Sequence, residues 1–179
     1  VRPNDVVVDI GCNDGITLKT YPVNNLIKIG VEPSDVAKKA EEAGINVINK
    51  FFSKDVAEGI AKNYGRAKII TATNVFAHID GINEIVECIL ELLDQDGVFI
   101  TECHYLGALV DTLQYDTIYH EHLMYYSLHS LKHLLEKHGL EIFHAKEIPT
   151  HGGSIRAFVS RKGKYPIKPS VAGILDHEE

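Results

Sequence analysis

The chain has 179 residues, of which 45% are hydrophobic and 24% charged, and its formal net charge at pH 7 is −7. These are the proportions of a globular domain, and they exclude a disordered, collagenous or coiled-coil chain. There is no basic run or long apolar stretch, so neither nucleic acid nor a membrane is an expected partner. The three cysteines are widely spaced, which favours a reducing, cytoplasmic location and leaves a single disulfide open.

Short apolar runs alternate with segments of helical period along the first hundred residues. The apolar runs predict strands at residues 6–10, 26–31, 45–48, 67–73 and 98–101. Between them, the pattern predicts helices over residues 35–43, 53–63 and 83–93, followed by a turn over 94–97. This alternation indicates right-handed crossovers and a parallel sheet with helices on both faces.

The pattern changes after residue 105. It predicts a helix over 107–113, an irregular segment over 114–126, a helix from the Ser127 cap through His138, and antiparallel strands at 140–148 and 154–160. We expect residues 1–162 to form one domain, and 163–179 to be a tail or the start of another domain. Because the chain opens directly into a strand without an initiator Met, we expect a piece of a longer protein.

The ends of the first two strands carry a candidate nucleoside site, since ligands of open α/β sheets bind beyond the carboxyl ends of strands. The first strand leads into Asp9-Ile10-Gly11-Cys12-Asn13-Asp14-Gly15. Asn13 stands where a dinucleotide fingerprint has its second glycine, and Asp14 would repel a phosphate. Glu32, at the end of the second strand, suits a ribose diol. The pattern therefore favours a ligand with ribose and adenine but no phosphate, such as S-adenosylmethionine.

Two groups of motifs carry a resemblance to known families. Residues 7–15 and 30–34 resemble the first two motifs of class I S-adenosylmethionine-dependent methyltransferases. Residues 74–79, 99–102, 116–122 and 151–156 resemble segments of the nucleotide-sugar C-methyltransferases. The resemblance covers about residues 5–160. Members of that family usually also carry an N-terminal zinc-binding domain and a longer C-terminal domain.

The resemblance implies both a fold and a reaction. The fold is a Rossmann-like, mostly parallel seven-stranded sheet in the order 3-2-1-4-5-7-6, with an antiparallel last strand inserted beside the fifth. The cofactor is S-adenosylmethionine, with S-adenosylhomocysteine as its product. The substrate is a keto-deoxysugar linked to a nucleoside diphosphate, methylated on a carbon beside the ketone through an enolate.

Methyl transfer to such a carbon needs a base, and histidine is the side chain best suited to that task near neutral pH. The resemblance assigns the base to His122, with Tyr119 and Glu121 beside it, and with Asn74 and His78 completing the pocket. If residues 119–122 make a helical turn, Tyr119 and His122 share a face while Glu121 points elsewhere. The cofactor-binding residues implied are Asp9, Gly11, Asn13, Asp14, Gly15, Glu32, Pro33 and Asn74.

Several individual residues have a second interpretation. Asp9 either binds the methionine amine or orients the glycine turn, and Phe51 or Phe52 either flanks adenine or belongs to the core. Arg156 either faces a diphosphate or is a plain strand arginine. A metal site at His120 and His122, with His78 or His104, is the lesser alternative, and no metal is expected.

Other functions of the chain also remain open. One is a methyltransferase acting on a different small molecule. Another is a reductase linked to NAD, which the Asn13 substitution disfavours. The third is a non-catalytic ligand-binding fragment.

Overall fold

The computed structural model describes residues 1–179. The strands are β1 Val6–Ile10, β2 Ile27–Val31, β3 Asn46–Ile48, β4 Ala67–Thr73, β5 Leu93–His104, β6 Leu140–Ile148 and β7 Ser154–Arg161. The helices are α1 Ile16–Lys19, α2 Ala37–Glu42, α3 Lys54–Tyr64, α4 Ile82–Leu92, α5 Leu106–Asp111, α6 Leu128–Lys137 and α7 Pro169–His177. None of these helices has the length and apolar character needed to cross a membrane.

The strands form one seven-stranded sheet in the order β3-β2-β1-β4-β5-β7-β6. Strand β1 runs parallel to β2 and β4, and β2 runs parallel to β3. Strand β7 is antiparallel to β6 and lies between β5 and β6. The predicted sheet order and the antiparallel last strand are therefore confirmed.

The chain forms two compact units. The first comprises Val1–Ala72 and Glu84–Phe99, and the second comprises Thr73–Asn83 and Ile100–Glu179. In the first unit every residue of β1 is buried, as expected for a parallel strand covered on both faces. In the second unit α6 buries the apolar stripe Leu128, Leu131 and Leu135, whose spacing places them on one helical face.

The predicted turn over residues 94–97 is wrong, because β5 already begins at Leu93. Lys68 pairs with both acids of this segment, at 3.7 Å from Asp94 and in closer contact with Asp96. Gly97 lies so near the neighbouring backbone that a Cβ there would be 2.8 Å from the Ala67 carbonyl oxygen. The polar residues and the glycine thus serve strand packing here rather than a turn.

Helix α7 lies within the predicted tail and was not predicted. Pro169 occupies its first turn, and Val171 and Ile174 are buried against the second unit. Two buried apolar residues are too few to give a helical period in the sequence. Tertiary packing, more than local pattern, therefore stabilises this helix.

Candidate active site

The loop between β1 and α1 is the first part of the candidate site. Gly11, Asn13 and Gly15 all have positive φ, at 71°, 50° and 78°. Glycine adopts this left-handed conformation freely, and asparagine tolerates it better than most other residues. The alternation explains why the chain can turn sharply at the carboxyl end of β1.

The backbone amides of this loop are all hydrogen-bonded within the protein. Gly11 and Cys12 donate to the Val31 carbonyl, and Gly15 donates to the Cys12 carbonyl. The amides of residues 13, 14 and 16 donate to the side chains of Glu32, Asn13 and Asp14 in that order. Six successive amides are thus engaged, and the loop offers no free N–H groups for a pyrophosphate. This geometry agrees with the sequence argument against a dinucleotide.

Glu32 lies at the end of β2, where the register pairs Ile10 with Val31 and so brings the ends of β1 and β2 together. Its side chain is buried and has no cationic partner. One carboxylate oxygen accepts the Asn13 amide at 3.1 Å and the other accepts the Ser34 amide at 3.0 Å. Each oxygen keeps a further lone pair, so the carboxylate can also accept the two hydroxyls of a ribose. The donor set therefore fits the nucleoside part of S-adenosylmethionine.

The two aspartates of the loop have different surroundings. Asp9 is buried, accepts the Thr71 hydroxyl at 2.5 Å, and burial raises its pKa to about 6 against the opposing hydrogen bonds of Thr71 and Thr17. These contacts support a role in orienting the turn. Asp14 is half-buried, and its carboxylate accepts the Ile16 amide at 3.2 Å at the start of α1.

Gly15 is required by packing as well as by its backbone angle. A Cβ there would lie 2.4 Å from Ile45 Cδ1.

Pro33 is exposed, directly after Glu32. Of the two phenylalanines that follow β3, Phe52 belongs to the core, whereas Phe51 is 79% exposed and free to meet a ligand.

The second part of the candidate site is a cavity of about 410 Å³ in the second unit. This volume lies in the range of small-molecule sites. Its lining residues are Asn74, Ala77, His78, Cys103, His104, Thr117, Tyr119, His122 and His151. The structure therefore brings together four of the five predicted catalytic residues. The fifth, Glu121, has an exposed side chain and does not line the cavity.

Tyr119 and His122 form a hydrogen-bonded pair in a tight turn, which the His122 amide closes by donating to the Tyr119 carbonyl at 3.1 Å. The Tyr119 hydroxyl lies 3.1 Å from His122 Nε2, and His122 Nδ1 lies 3.3 Å from the Thr117 carbonyl oxygen. Because a carbonyl only accepts, Nδ1 carries the proton, and Nε2 accepts from Tyr119. His122 thus has a defined tautomer with its basic nitrogen held by the tyrosine.

His78 lies beside this pair, with its ring centroid 5.1 Å from that of His122. Its Nδ1 is 2.8 Å from the Glu121 carbonyl oxygen and must donate to it, which leaves Nε2 unprotonated in the neutral ring. Glu121 therefore contributes to the pocket through its backbone rather than through its carboxylate.

Asn74 follows β4 in the left-handed conformation, with φ at 56°. Its amide donates to the Glu102 carbonyl at 2.8 Å, which fixes it against β5. Asn74 lines the cavity. The nearby Cys103 thiol stays protonated, because burial and, to a lesser extent, the Glu102 charge raise its pKa to about 12.

Sequence reasoning did not assign Cys103, His104, Thr117 or His151 to the substrate pocket. Signals for three of them were present. Thr117 and His151 fall within the quoted motifs, and His104 lies three positions after the end of the predicted fifth strand. What the sequence lacks is the distance between these segments, which only the fold supplies.

Arg156 pairs with the buried carboxylate of Glu102, at 2.6 Å from Nη2 and 2.7 Å from Nε. Thr150 donates to the other carboxylate oxygen at 3.2 Å. Arg156 thus neutralises a buried acid, which supports the structural interpretation of this residue. The structure contains no group of three or more His, Cys, Asp or Glu side chains placed to hold a metal ion.

Known proteins share both the sequence pattern and the fold. The methyltransferase domain family matches residues 2–145. The C-methyltransferase NovU of Streptomyces niveus is 36% identical over 176 residues, which are 97% of this chain and 42% of that protein. The chain therefore spans less than half the length of this relative.

Solved structures resemble the chain at low identity. An S-adenosylmethionine-dependent methyltransferase of Clostridium acetobutylicum gives a TM-score of 0.63 at 16% identity, covering 89% of this chain and 85% of that one. The mitomycin 7-O-methyltransferase MmcR gives a TM-score of 0.63 at 19% identity, and the match covers 88% of this chain and 49% of the MmcR chain. These structures share the fold. The chain belongs to the methyltransferase domain family.

Proposed function

We propose that the chain is the catalytic part of a C-methyltransferase that methylates a carbon beside the ketone of a nucleotide-linked keto-deoxysugar. The observation that carries this proposal is the Tyr119–His122 pair, in which a backbone carbonyl fixes the protonated nitrogen of the histidine. The similarity to a C-methyltransferase over 97% of the chain supports it. The cofactor, when bound, supplies an electrophilic methyl group.

The first unit binds the cofactor in this proposal. Glu32 accepts the ribose hydroxyls with the lone pairs that its two backbone contacts leave over. The half-buried carboxylate of Asp14 suits the methionine ammonium, while Asp9 orients the turn through its contact with Thr71. The loop consisting of Gly11, Asn13 and Gly15, together with Pro33, shapes the rest of this site, whereas Asn74 belongs to the second unit.

The second unit supplies the base. His122 Nε2 takes the proton from the carbon beside the ketone, and the electron pair of that C–H bond moves into the carbonyl to give an enolate. The Tyr119 hydroxyl, which lies 3.1 Å from Nε2 in this structure, then donates to the substrate instead. This enolate carbon would be the nucleophile for the methyl group that a bound cofactor supplies.

The hydrogen-bonding character of the cavity supports a hydroxyl-rich substrate. The lining holds four histidines but no carboxylate, lysine or arginine side chain. In His78 and His122 a backbone carbonyl takes up one ring N–H, so the neutral ring keeps a single unprotonated nitrogen. Such nitrogens accept hydrogen bonds from sugar hydroxyls without placing a fixed charge in the pocket.

The test is exchange of the substrate's own proton. In deuterated buffer without a methyl donor, the intact protein is expected to introduce deuterium at the carbon beside the ketone, measured by mass spectrometry. His122→Ala is expected to slow this exchange about 10²- to 10⁴-fold, the usual contribution of a general base.

His133→Ala is the matched control, since His133 is exposed on the outer face of α6. It should leave the exchange unchanged. Undiminished exchange in His122→Ala would assign the base elsewhere. An intact protein that neither exchanges this proton nor transfers a labelled methyl group to the sugar would overturn the proposed function.

A further inference from the structure

The side chain of Gln114 joins two segments of the pocket wall. It follows α5 and is half-buried. Its Nε2 donates to the Gly152 carbonyl at 2.7 Å and also contacts the Thr112 hydroxyl, while its Oε1 lies 3.2 Å from His104 Nε2. One amide thus connects the end of β5 with the turn between β6 and β7.

These contacts determine the tautomer of His104. Because Gln114 Nε2 donates to the Gly152 carbonyl, the other end of the amide is the oxygen, which only accepts. His104 Nε2 must therefore carry a proton, and Nδ1 is unprotonated in the neutral ring. His104 lines the same cavity as His122, and their ring centroids lie 6.4 Å apart.

The turn that Gln114 holds has an unusual backbone. His151, Gly152 and Gly153 all have positive φ, at 51°, 77° and 125°. A β-carbon at Gly152 would lie 2.3 Å from Gln114 Oε1, so the turn packs directly on the amide. His151 is not a glycine, and its left-handed conformation persists only when the surroundings impose it. The amide contact supplies that constraint next to a residue of the cavity wall.

We propose that Gln114 is a positioning residue of the substrate pocket. It fixes His104 with the proton on Nε2, and it holds the 150–153 turn so that His151 stays in the cavity wall. In the complex with substrate, His104 Nδ1 accepts a hydrogen bond from a hydroxyl of the sugar away from the reacting carbon. This part of the inference rests on the proposed function. The tautomer itself does not depend on the identity of the substrate.

The direct test is the nitrogen NMR spectrum of the histidines in the intact protein at pH 8, with His104 assigned by a His104→Asn variant. The unmodified protein is expected to show His104 protonated at Nε2. Gln114→Leu removes the acceptor and should give a mixture of tautomers, whereas Gln114→Glu retains an acceptor oxygen and should preserve the Nε2–H form. An unchanged His104 spectrum in Gln114→Leu would overturn the proposal.

Kinetics test the consequence for the substrate. Gln114→Leu is expected to raise KM for the keto-sugar about 3- to 10-fold, the equivalent of one neutral hydrogen bond, with a smaller change in kcat. Binding of S-adenosylhomocysteine should not change. Gln95→Leu, at an exposed glutamine, is the control. A shifted tautomer with an unchanged KM would overturn the substrate contact. An unmodified protein that neither exchanges the substrate's proton nor transfers a methyl group would instead overturn the proposed function.

Discussion

At the scale of single residues, Glu32 has a structural role in addition to the binding role proposed for it. Its carboxylate satisfies the amides of Asn13 and Ser34, so it shapes the loop that it serves. A variant that removes the carboxylate leaves both amides without their acceptor, which costs stability as well as affinity. Any binding experiment on this residue therefore needs a measurement of folding beside it.

Glu32→Ala is expected to weaken S-adenosylhomocysteine binding by a factor of ten to a hundred, because a charge-assisted bidentate contact is lost. Titration calorimetry measures the affinity, at a temperature where circular dichroism shows the variant folded. Glu41→Ala, at an exposed position on α2, should bind normally. Equal affinities of Glu32→Ala and the unmodified protein would remove Glu32 from the cofactor site.

The raised pKa of Asp9 predicts that the stability of the protein depends on pH. Its pKa is raised from 3.8 to about 6, so between these values the folded protein binds more protons than the unfolded chain. The free energy of unfolding therefore falls as the pH rises through this window, by up to about 3 kcal/mol for this group. Relative to the unmodified protein, Asp9→Asn should become more stable as the pH rises from 4 to 7.

Urea unfolding at several pH values measures the difference in the free energy of unfolding between Asp9→Asn and the unmodified protein. Asp35→Asn, at an exposed aspartate, is the control and should give a difference that does not change with pH. A constant difference between Asp9→Asn and the unmodified protein would show that burial does not shift this carboxyl.

At the scale of elements, α7 is held to α6 by a carboxylate. Glu178 accepts the Leu128 amide at 2.5 Å, the His129 amide at 2.9 Å and His129 Nδ1 at 2.7 Å. Two of the amides left free at the start of α6 are thus satisfied by a residue from the end of the chain. Burial alone would raise the pKa of Glu178, but the hydrogen bonds from His129 and Leu128 lower it overall.

Glu178→Ala is expected to lower the free energy of unfolding by about 0.5–2 kcal/mol at pH 7, since the part-buried Leu128 amide and the exposed His129 amide lose their capping acceptor. Because the folded pKa is depressed, this contribution is present above the unfolded value of 4.5 and is lost as the pH falls through the folded one. Chemical denaturation at pH 7 and in acid measures it. Glu179→Ala should have little effect, and an equal loss in both variants would contradict a specific cap.

Whether the predicted ends of a strand or helix agree with the structure depends on the amino-acid composition of that element. Strands β1 and β4 agree with the prediction at both ends because each is a largely β-rich run, and β6 also agrees although charged residues interrupt it. The α6 cap also agrees, since Ser127 accepts the Ser130 amide as a capping residue does. The start of β5 and helix α7 differ, because ion pairs and tertiary packing outweigh the local pattern there.

At the scale of the whole molecule, the two units carry different parts of the proposed reaction. The cofactor loop and Glu32 belong to the first unit, while the cavity with His122 belongs to the second. The two functions should therefore be separable by mutation.

His122→Ala is expected to lose proton exchange while binding S-adenosylhomocysteine normally, and Glu32→Ala is expected to show the reverse. Calorimetry and deuterium incorporation on the same two preparations test both halves. If each variant lost both functions, the assignment of one function to each unit would be contradicted.

The sequence by itself determined the alternation of strands and helices, the order of the sheet through its resemblance, and the residues at the ends of β1 and β2. It could do so because strand ends and glycine turns are local features. It also predicted that Tyr119 and His122 would share a face if the segment made a helical turn, since they lie three positions apart.

Only the tertiary structure decided which distant residues share the cavity and which nitrogen of each histidine carries a proton. The hydrogen bonds from Gln114 to Gly152 and His104 join segments 38 and 10 residues apart. No periodicity encodes such contacts, because they depend on where the chain returns after whole elements have packed. The resemblance also assigned Glu121 to the site beside His122, whereas the structure leaves its side chain exposed.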